Sequence, residues 1–198
     1  MIYPGKAEFA VENVRGLDTQ AVTQAARLLL EKAQAKSHIG SGCEKDVFDY
    51  DGHRVISFFT HASLEPRYVA PMVKTFYYSA KLGHLLLPDN IPDAHLALAS
   101  PPAIIFDRVY GERDNITLEE RHGFRLMLER IGITQACDLA DGNLIRRPDG
   151  SLAYVDTVNA GRLINNPELD AYIETLDPET AQEARRLQAR AAFHHSQW

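Results

Sequence analysis

The chain has 198 residues, 45% of them hydrophobic, with a formal net charge of −6 and a calculated pI near 5.7. That length and apolar content suit one compact domain, or two small lobes sharing a core. An acidic balance without a basic stripe and interleaved aromatics argues against nucleic acid as a partner. Cys43 and Cys137 form no CxxC or secreted-scaffold pattern, which fits a reduced cytosolic protein. No charged-then-apolar leader opens the sequence, and no apolar run approaches the roughly 20 residues needed to span a bilayer. The expected location is therefore the cytoplasm, or a host cell reached by a specialised secretion route, with no membrane association.

In chain order, Asp18 is a helix cap and the apolar spacing of Val22, Ala25, Ala26, Leu29 and Leu30 predicts a helix to Ala35. From His38 the texture turns to strand. Ile39-Gly40-Ser41-Gly42 leads into Val47-Phe48-Asp49-Tyr50, then Asp51-Gly52, then Val55-Ile56-Ser57-Phe58-Phe59. Asp-Gly between two β-rich runs predicts a two-residue hairpin turn, in which Phe48 faces Val55 and Lys45 faces Phe58. A second helix is predicted from Glu65 to Leu87, and Pro88 and Pro92 bracket a turn. Ala103-Ile104-Ile105-Phe106 reads as a buried strand. Leu118 to Ile131 reads as a third helix. Two closing helices are opened by Asn166-Pro167 and Asp177-Pro178, each a cap followed by a proline at the first helical position. His194-His195 reads as a frayed tail. The order is α+β, with a strand-rich first half and a helical second half.

Three residues stand out for chemistry. Asp138 opens Asp138-Leu139-Ala140-Asp141-Gly142-Asn143. Asn143 is followed by a short apolar strand, a Pro148-Asp149-Gly150 turn and a second strand, which ends at Asp156. Asp141 reads as a turn residue before Gly142. Phosphoryl transfer asks for this kind of set: oxygen donors that hold a metal ion on the phosphates, and a carboxylate beside the attacking hydroxyl. The pattern resembles the catalytic and metal-binding segment of the protein-kinase-like superfamily.

Other segments support the resemblance, which covers about residues 38 to 160. Ile39-Gly40-Ser41-Gly42-Cys43-Glu44-Lys45-Asp46-Val47 resembles the glycine-rich nucleotide loop, and a strand rather than a helix follows it, unlike a dinucleotide-binding turn. The resemblance implies that Gly40, Ser41 and Gly42 lie along the phosphates and that Val47 covers the adenine. Val55-Ile56-Ser57-Phe58 stands where V-A-I-K is usual, so Ile56 is expected against the nucleotide and the strand lysine is missing. The with-no-lysine kinases are similar here, and by that likeness Lys45 supplies the phosphate-binding cation, with Glu65 as its helix carboxylate. Lys74 and Lys81 read as solvated lysines of the same helix. Ile104-Ile105-Phe106-Asp107-Arg108-Val109-Tyr110-Gly111 resembles the hinge, with Phe106 as gatekeeper and the backbones of Asp107 and Val109 at the adenine edge.

By the same resemblance Asp138 orients or deprotonates the acceptor, and Asn143 and Asp156 bind Mg²⁺. The departures are Ala136-Cys137 in place of His-Arg, Asp156-Thr157-Val158 in place of D-F-G, and no A-P-E. What this implies is a minimal bilobal kinase-like fold: a β-rich N-lobe over 1–105, a hinge at 106–111 and a truncated C-lobe over 112–198. Chains of this layout resemble truncated bacterial effector kinases and small bacterial or phage kinase-like proteins. The implied activity is an ATP- and Mg²⁺-dependent transfer to a protein Ser/Thr hydroxyl, in a host target if the protein is exported, rather than to a small molecule. A catalytically inactive binding module and transfer of AMP from ATP are the alternative readings.

Overall fold

The computed structural model describes residues 18–32, 38–41, 45–59, 65–140, 142–156 and 158–197. Helix α1 (Thr19–Lys32) is followed by strands β1 (His38–Ser41), β2 (Lys45–Asp49) and β3 (Arg54–Phe59), then by the long helix α2 (Pro66–Leu86). Strands β4 (Ala94–Ala99) and β5 (Pro102–Asp107) complete an antiparallel sheet of order β1-β2-β3-β5-β4. Beyond it come α3 (Leu118–Arg130), a separate two-stranded hairpin of β6 (Leu144–Arg146) and β7 (Leu152–Tyr154), and helices α4 (Pro167–Ile173) and α5 (Pro178–His195). This is the expected α+β layout, an antiparallel sheet followed by a helical part.

Period-two alternation divides the sheet between two apolar clusters. Phe48, Ile56, Phe58, Leu96, Leu98, Ala103 and Ile105 face one way, where Ala26 of α1 joins them. Phe59, Ala97 and Ile104 face the other way, into a core that runs through α2 and on to Leu187 and Ala191 of α5. The predicted caps of the closing helices are in place. Asn166 accepts from the amides of Glu168 and Leu169, and Asp177 accepts from that of Thr180 at 3.0 Å. Within α2, the buried hydroxyls of Thr75 and Ser79 donate to the carbonyls of Pro71 and Thr75 at 2.9 and 2.8 Å. These polar side chains are thereby satisfied inside an apolar helix.

Three expectations need correction. The β2–β3 turn is one residue longer than predicted: Phe48 pairs with Ile56 and Lys45 with Phe59. Asp51 causes this, because its Oδ1 accepts from the amides of both His53 and Arg54 and so holds a three-residue loop, with Gly52 at φ +82°. Strand β4 was not foreseen, since Ala94-His95-Leu96-Ala97-Leu98-Ala99 is alanine-rich and lacks β-branched residues. The two C-terminal histidines are not a frayed tail. They lie within α5, and His194 stacks on Tyr78 of α2 with ring centroids 5.7 Å apart.

The segment after β5 is pinned to the β6–β7 hairpin. The amide of Glu112 donates to Arg146 O at 2.9 Å and that of Arg146 to Glu112 O at 2.8 Å. A Cβ on Gly111 would sit 2.0 Å from Arg146 O, so only glycine permits this approach. Gly111→Ala is expected to destabilise by about 1–3 kcal/mol in chemical denaturation. A variant as stable as wild type would contradict that close approach.

Arg146 also carries an acid-sensitive clamp. Its guanidinium donates to Glu120 at 2.6 Å, and Glu120 closes a capping box on Thr117 at the start of α3. The Thr117 amide, then Arg146, then the Thr117 hydroxyl lower the Glu120 carboxyl from 4.5 to about 2. A depressed folded-state value means that this contribution is complete above about pH 4.5 and disappears as pH falls towards 2. An acid titration of melting temperature should therefore show a loss in that window in wild type. Glu120→Gln should be less stable at neutral pH and flatter across the window.

Candidate nucleotide and phosphotransfer site

A cleft opens where the sheet meets the β6–β7 hairpin. Its lining includes Ile39, Lys45 and Val47 of the first hairpin, Val55 and Ser57 of β3, Phe106 to Gly111 from the end of β5 onward, and Ile145, Val155 and Asp156. The register explains which β3 side chains reach it. Alternation puts Val55 and Ser57 on the cleft side, whereas Ile56 is fully buried in the opposite cluster. Ile56 is therefore not a cleft residue, because the extra turn residue moves the β2–β3 pairing by one. Phe58, which stands at the place of the usual strand lysine, is buried in that same opposite cluster, so β3 presents Val55 and Ser57 but no cation to the cleft. Gly40 pairs with Val47 in the β1–β2 ladder, and the Ser41 hydroxyl lies 2.8 Å from His38 Nε2. Gly42 lies outside the described residues, as do Asp141 and Thr157.

Lys45 Nζ reaches across the cleft to Asp156 Oδ1 at 2.8 Å and lies 3.5 Å from Val155 O. The two side chains are 14% and 32% exposed, so the pair is drawn partly out of water, where the attraction is less screened than on an open surface. Glu65 takes a different partner. It stands at the start of α2, its side chain 64% exposed, and binds Arg67 at 2.8 Å. Lys81 is likewise engaged, with Asp93 at 2.8 Å. The carboxylate for the glycine-hairpin lysine is therefore the hairpin-end Asp156.

The hinge residues are fixed from behind. The Asp107 amide donates to Asp93 O at 3.0 Å, and its carboxylate lies 2.7 Å from Nε2 of the fully buried His95. Arg108 donates its amide to His53 O at 2.9 Å and its guanidinium to Asp49 at 2.6 Å. Among the described residues nothing bonds the backbone amide of Val109, a residue that lines the cleft. Phe106 lines the cleft beside it.

The segment from Asp138 to Asp156 is held by local bonds, among them that of the Asn143 amide to Ala140 O at 3.2 Å. Asp138 is exposed, and one carboxylate oxygen accepts from the Ala140 amide at 3.1 Å. The Asp138 amide donates to the hydroxyl of Tyr154 at 3.1 Å, and its carbonyl accepts from Asn143 Nδ2 at 3.0 Å. That bond commits the nitrogen end of the Asn143 amide and leaves Oδ1 as a donor atom for a metal. The Val155 amide donates to Asn143 O at 2.9 Å, which ties the residue before Asp156 to the same loop. Among the described residues no three His, Cys, Asp or Glu side chains gather as a metal site. One amide oxygen and one carboxylate are hard donors that fit Mg²⁺, an ion that takes its remaining ligands from water and phosphate.

Tyr154 and Asn90 were missed by sequence reasoning. Tyr154 is fully buried in β7, and burial raises its phenol well above 10, so it stays a neutral hydroxyl that accepts from Asp138. Asn90 follows α2 and holds the hairpin from outside: Nδ2 donates to Leu152 O and its carbonyl accepts from the Tyr154 amide, both at 2.7 Å. Neither bears a motif; the Leu144-to-Tyr154 alternation flags Tyr154 only as a core residue.

Cys137 sits next to Asp138 and is buried. Burial, and then the Asp156 charge, push its thiol up to about 12. In a Cys43→Ser background, native Cys137 is expected to react with a thiol reagent only at the rate of unfolding at pH 8. Rapid native labelling would contradict the packing of this loop.

No family model matches the chain, and no curated protein matches it. Among solved structures it is similar to the Rio2 kinase–ADP/Mg²⁺–phosphoaspartate complex from Chaetomium thermophilum, at 15% identity and a TM-score of 0.43. That alignment covers 92% of this chain, and the chain spans 62% of the length of the Rio2 structure.

Proposed function

We propose that this chain is an ATP- and Mg²⁺-dependent phosphotransferase of the protein-kinase-like kind, acting on a protein Ser/Thr hydroxyl. The observation that carries the reading is the 2.8 Å pair between Lys45 and Asp156 inside the cleft. It joins a phosphate-binding cation to a metal-binding carboxylate, although β3 carries no lysine. The adenine would lie between Ile39 and Val47 on one side and Ile145 on the other, with its edge at Val109. Lys45 would hold the α- and β-phosphates once a nucleotide draws it from Asp156.

Asn143 Oδ1 and the Asp156 carboxylate would hold Mg²⁺, which supplies charge neutralisation at the phosphates. The acceptor oxygen forms the new bond to the γ-phosphorus, and the bond from that phosphorus to the β–γ bridging oxygen breaks. ADP leaves, and the hydroxyl proton passes to Asp138. The Asp138 oxygen that does not accept from Ala140 faces this task without a hydrogen-bond partner among the described residues. Tyr154 is a positioning residue, since it holds the Asp138 backbone and touches no reactant.

The test needs no knowledge of the acceptor. At 100 times Kd, ATP should stabilise by about 2.7 kcal/mol, an upward melting shift of about 5–10 °C for a chain of this size. The shift should require Mg²⁺ and vanish in Asp156→Ala, and Lys45→Ala should weaken it. Asp138→Ala should keep the shift and abolish phosphate transfer. Absence of any shift at millimolar ATP would overturn the reading in favour of an inactive binding module. An adenylylated product would replace phosphate transfer with AMP transfer.

A further inference from the structure

The cleft wall contains three cations: Lys45, Arg108 and Arg113. Two are neutralised inside the protein, Lys45 by Asp156 and Arg108 by Asp49 at 2.6 Å. The cleft acids are engaged too, Asp156 by Lys45 and Asp107 by His95. Arg113 alone of the three has no carboxylate or hydrogen-bond partner among the described residues. The backbone just before it is held by the paired Glu112–Arg146 bonds and by the close approach of Gly111. Its guanidinium reaches over the mouth of the cleft to β1, where Nη1 lies 3.6 Å from the Cβ position of Gly40.

From this geometry we propose that Arg113 is a second phosphate-binding cation, which selects nucleotides that carry a phosphate chain over the bare nucleoside. The inference rests on the nucleotide reading of the cleft. Burying an anionic chain between Arg113 and the glycine strand gives the guanidinium charge-assisted bonds, and its planar fork suits phosphate oxygens. It also answers a chemical need of this chain. β3 presents only Val55 and Ser57 to the cleft and no cation, and Lys45 must be shared with Asp156.

The experiment measures binding of ATP, ADP and adenosine, in Mg²⁺, to wild type, Arg113→Gln and Arg113→Lys, by competition against a fluorescent adenine nucleotide. Arg113→Gln should weaken ATP and ADP about tenfold or more. Adenosine should change less than twofold, and the unliganded melting temperature should not move. Arg113→Lys should recover part of the loss. Equal loss for adenosine would assign Arg113 to the nucleoside and overturn its phosphate role. Wild-type affinity for ATP in Arg113→Gln would overturn the inference and leave the nucleotide reading standing. Wild type that binds none of the three would overturn both.

Discussion

Helix α2 must bury almost its whole circumference, and the architecture follows from how it does so. Beyond Arg67, none of its described side chains is exposed. One flank lies against the sheet through Val73, Tyr77 and Ala80, in the cluster that also holds Ala97 and Ile104. The other is covered by α5, where Arg190 donates to the Tyr78 hydroxyl at 2.9 Å and His194 stacks on the same ring. A helix in the middle of one core makes the sheet and the helical part interdependent. The last helix of the chain thus supports the first sheet, although the two are far apart in sequence.

That shared core leaves the cleft to be shaped by backbone pairing at its rim. The Glu112–Arg146 bonds join the segment after β5 to the β6–β7 hairpin, and Asn90 holds the same hairpin from the α2 side. Each tie uses main-chain groups, which have fixed geometry and must be satisfied wherever they are buried. The side chains to which the proposed chemistry is assigned therefore stand on clamped backbone: Lys45 on β2, Asn143 before β6, Asp156 after β7. Asp138 is more open, held through its amide by a phenol kept neutral by burial.

Much of this was legible locally. The spacing of Asp138, Asn143 and Asp156, the glycine-rich hairpin and both proline-capped closing helices depend on neighbours within a few residues, and such signals survive in sequence. The failures were also local in origin but had wider effects. One extra loop residue, held by the Asp51 side chain, inverted which β3 residues face the cleft and exchanged Ile56 for Val55 and Ser57. Strand β4 was hidden because alanines carry little strand preference and acquire it from their place beside β5. Glu65 was a reasonable partner for Lys45 by helix position, but its start-of-helix site is open and lets it pair with Arg67 instead.

By itself the sequence determined the α+β class, most of the elements and the caps of both closing helices, because periodicity, turn chemistry and residue type are properties of short segments. Only the tertiary structure decided which cation meets which carboxylate. Lys45 and Asp156 are 111 positions apart, and their 2.8 Å contact exists because two hairpins from different parts of the chain are pinned around one buried helix. Likewise nothing in the sequence separates Arg113 from the neighbouring arginines. Its lack of a partner among the described residues follows from which carboxylates the fold gives to the others.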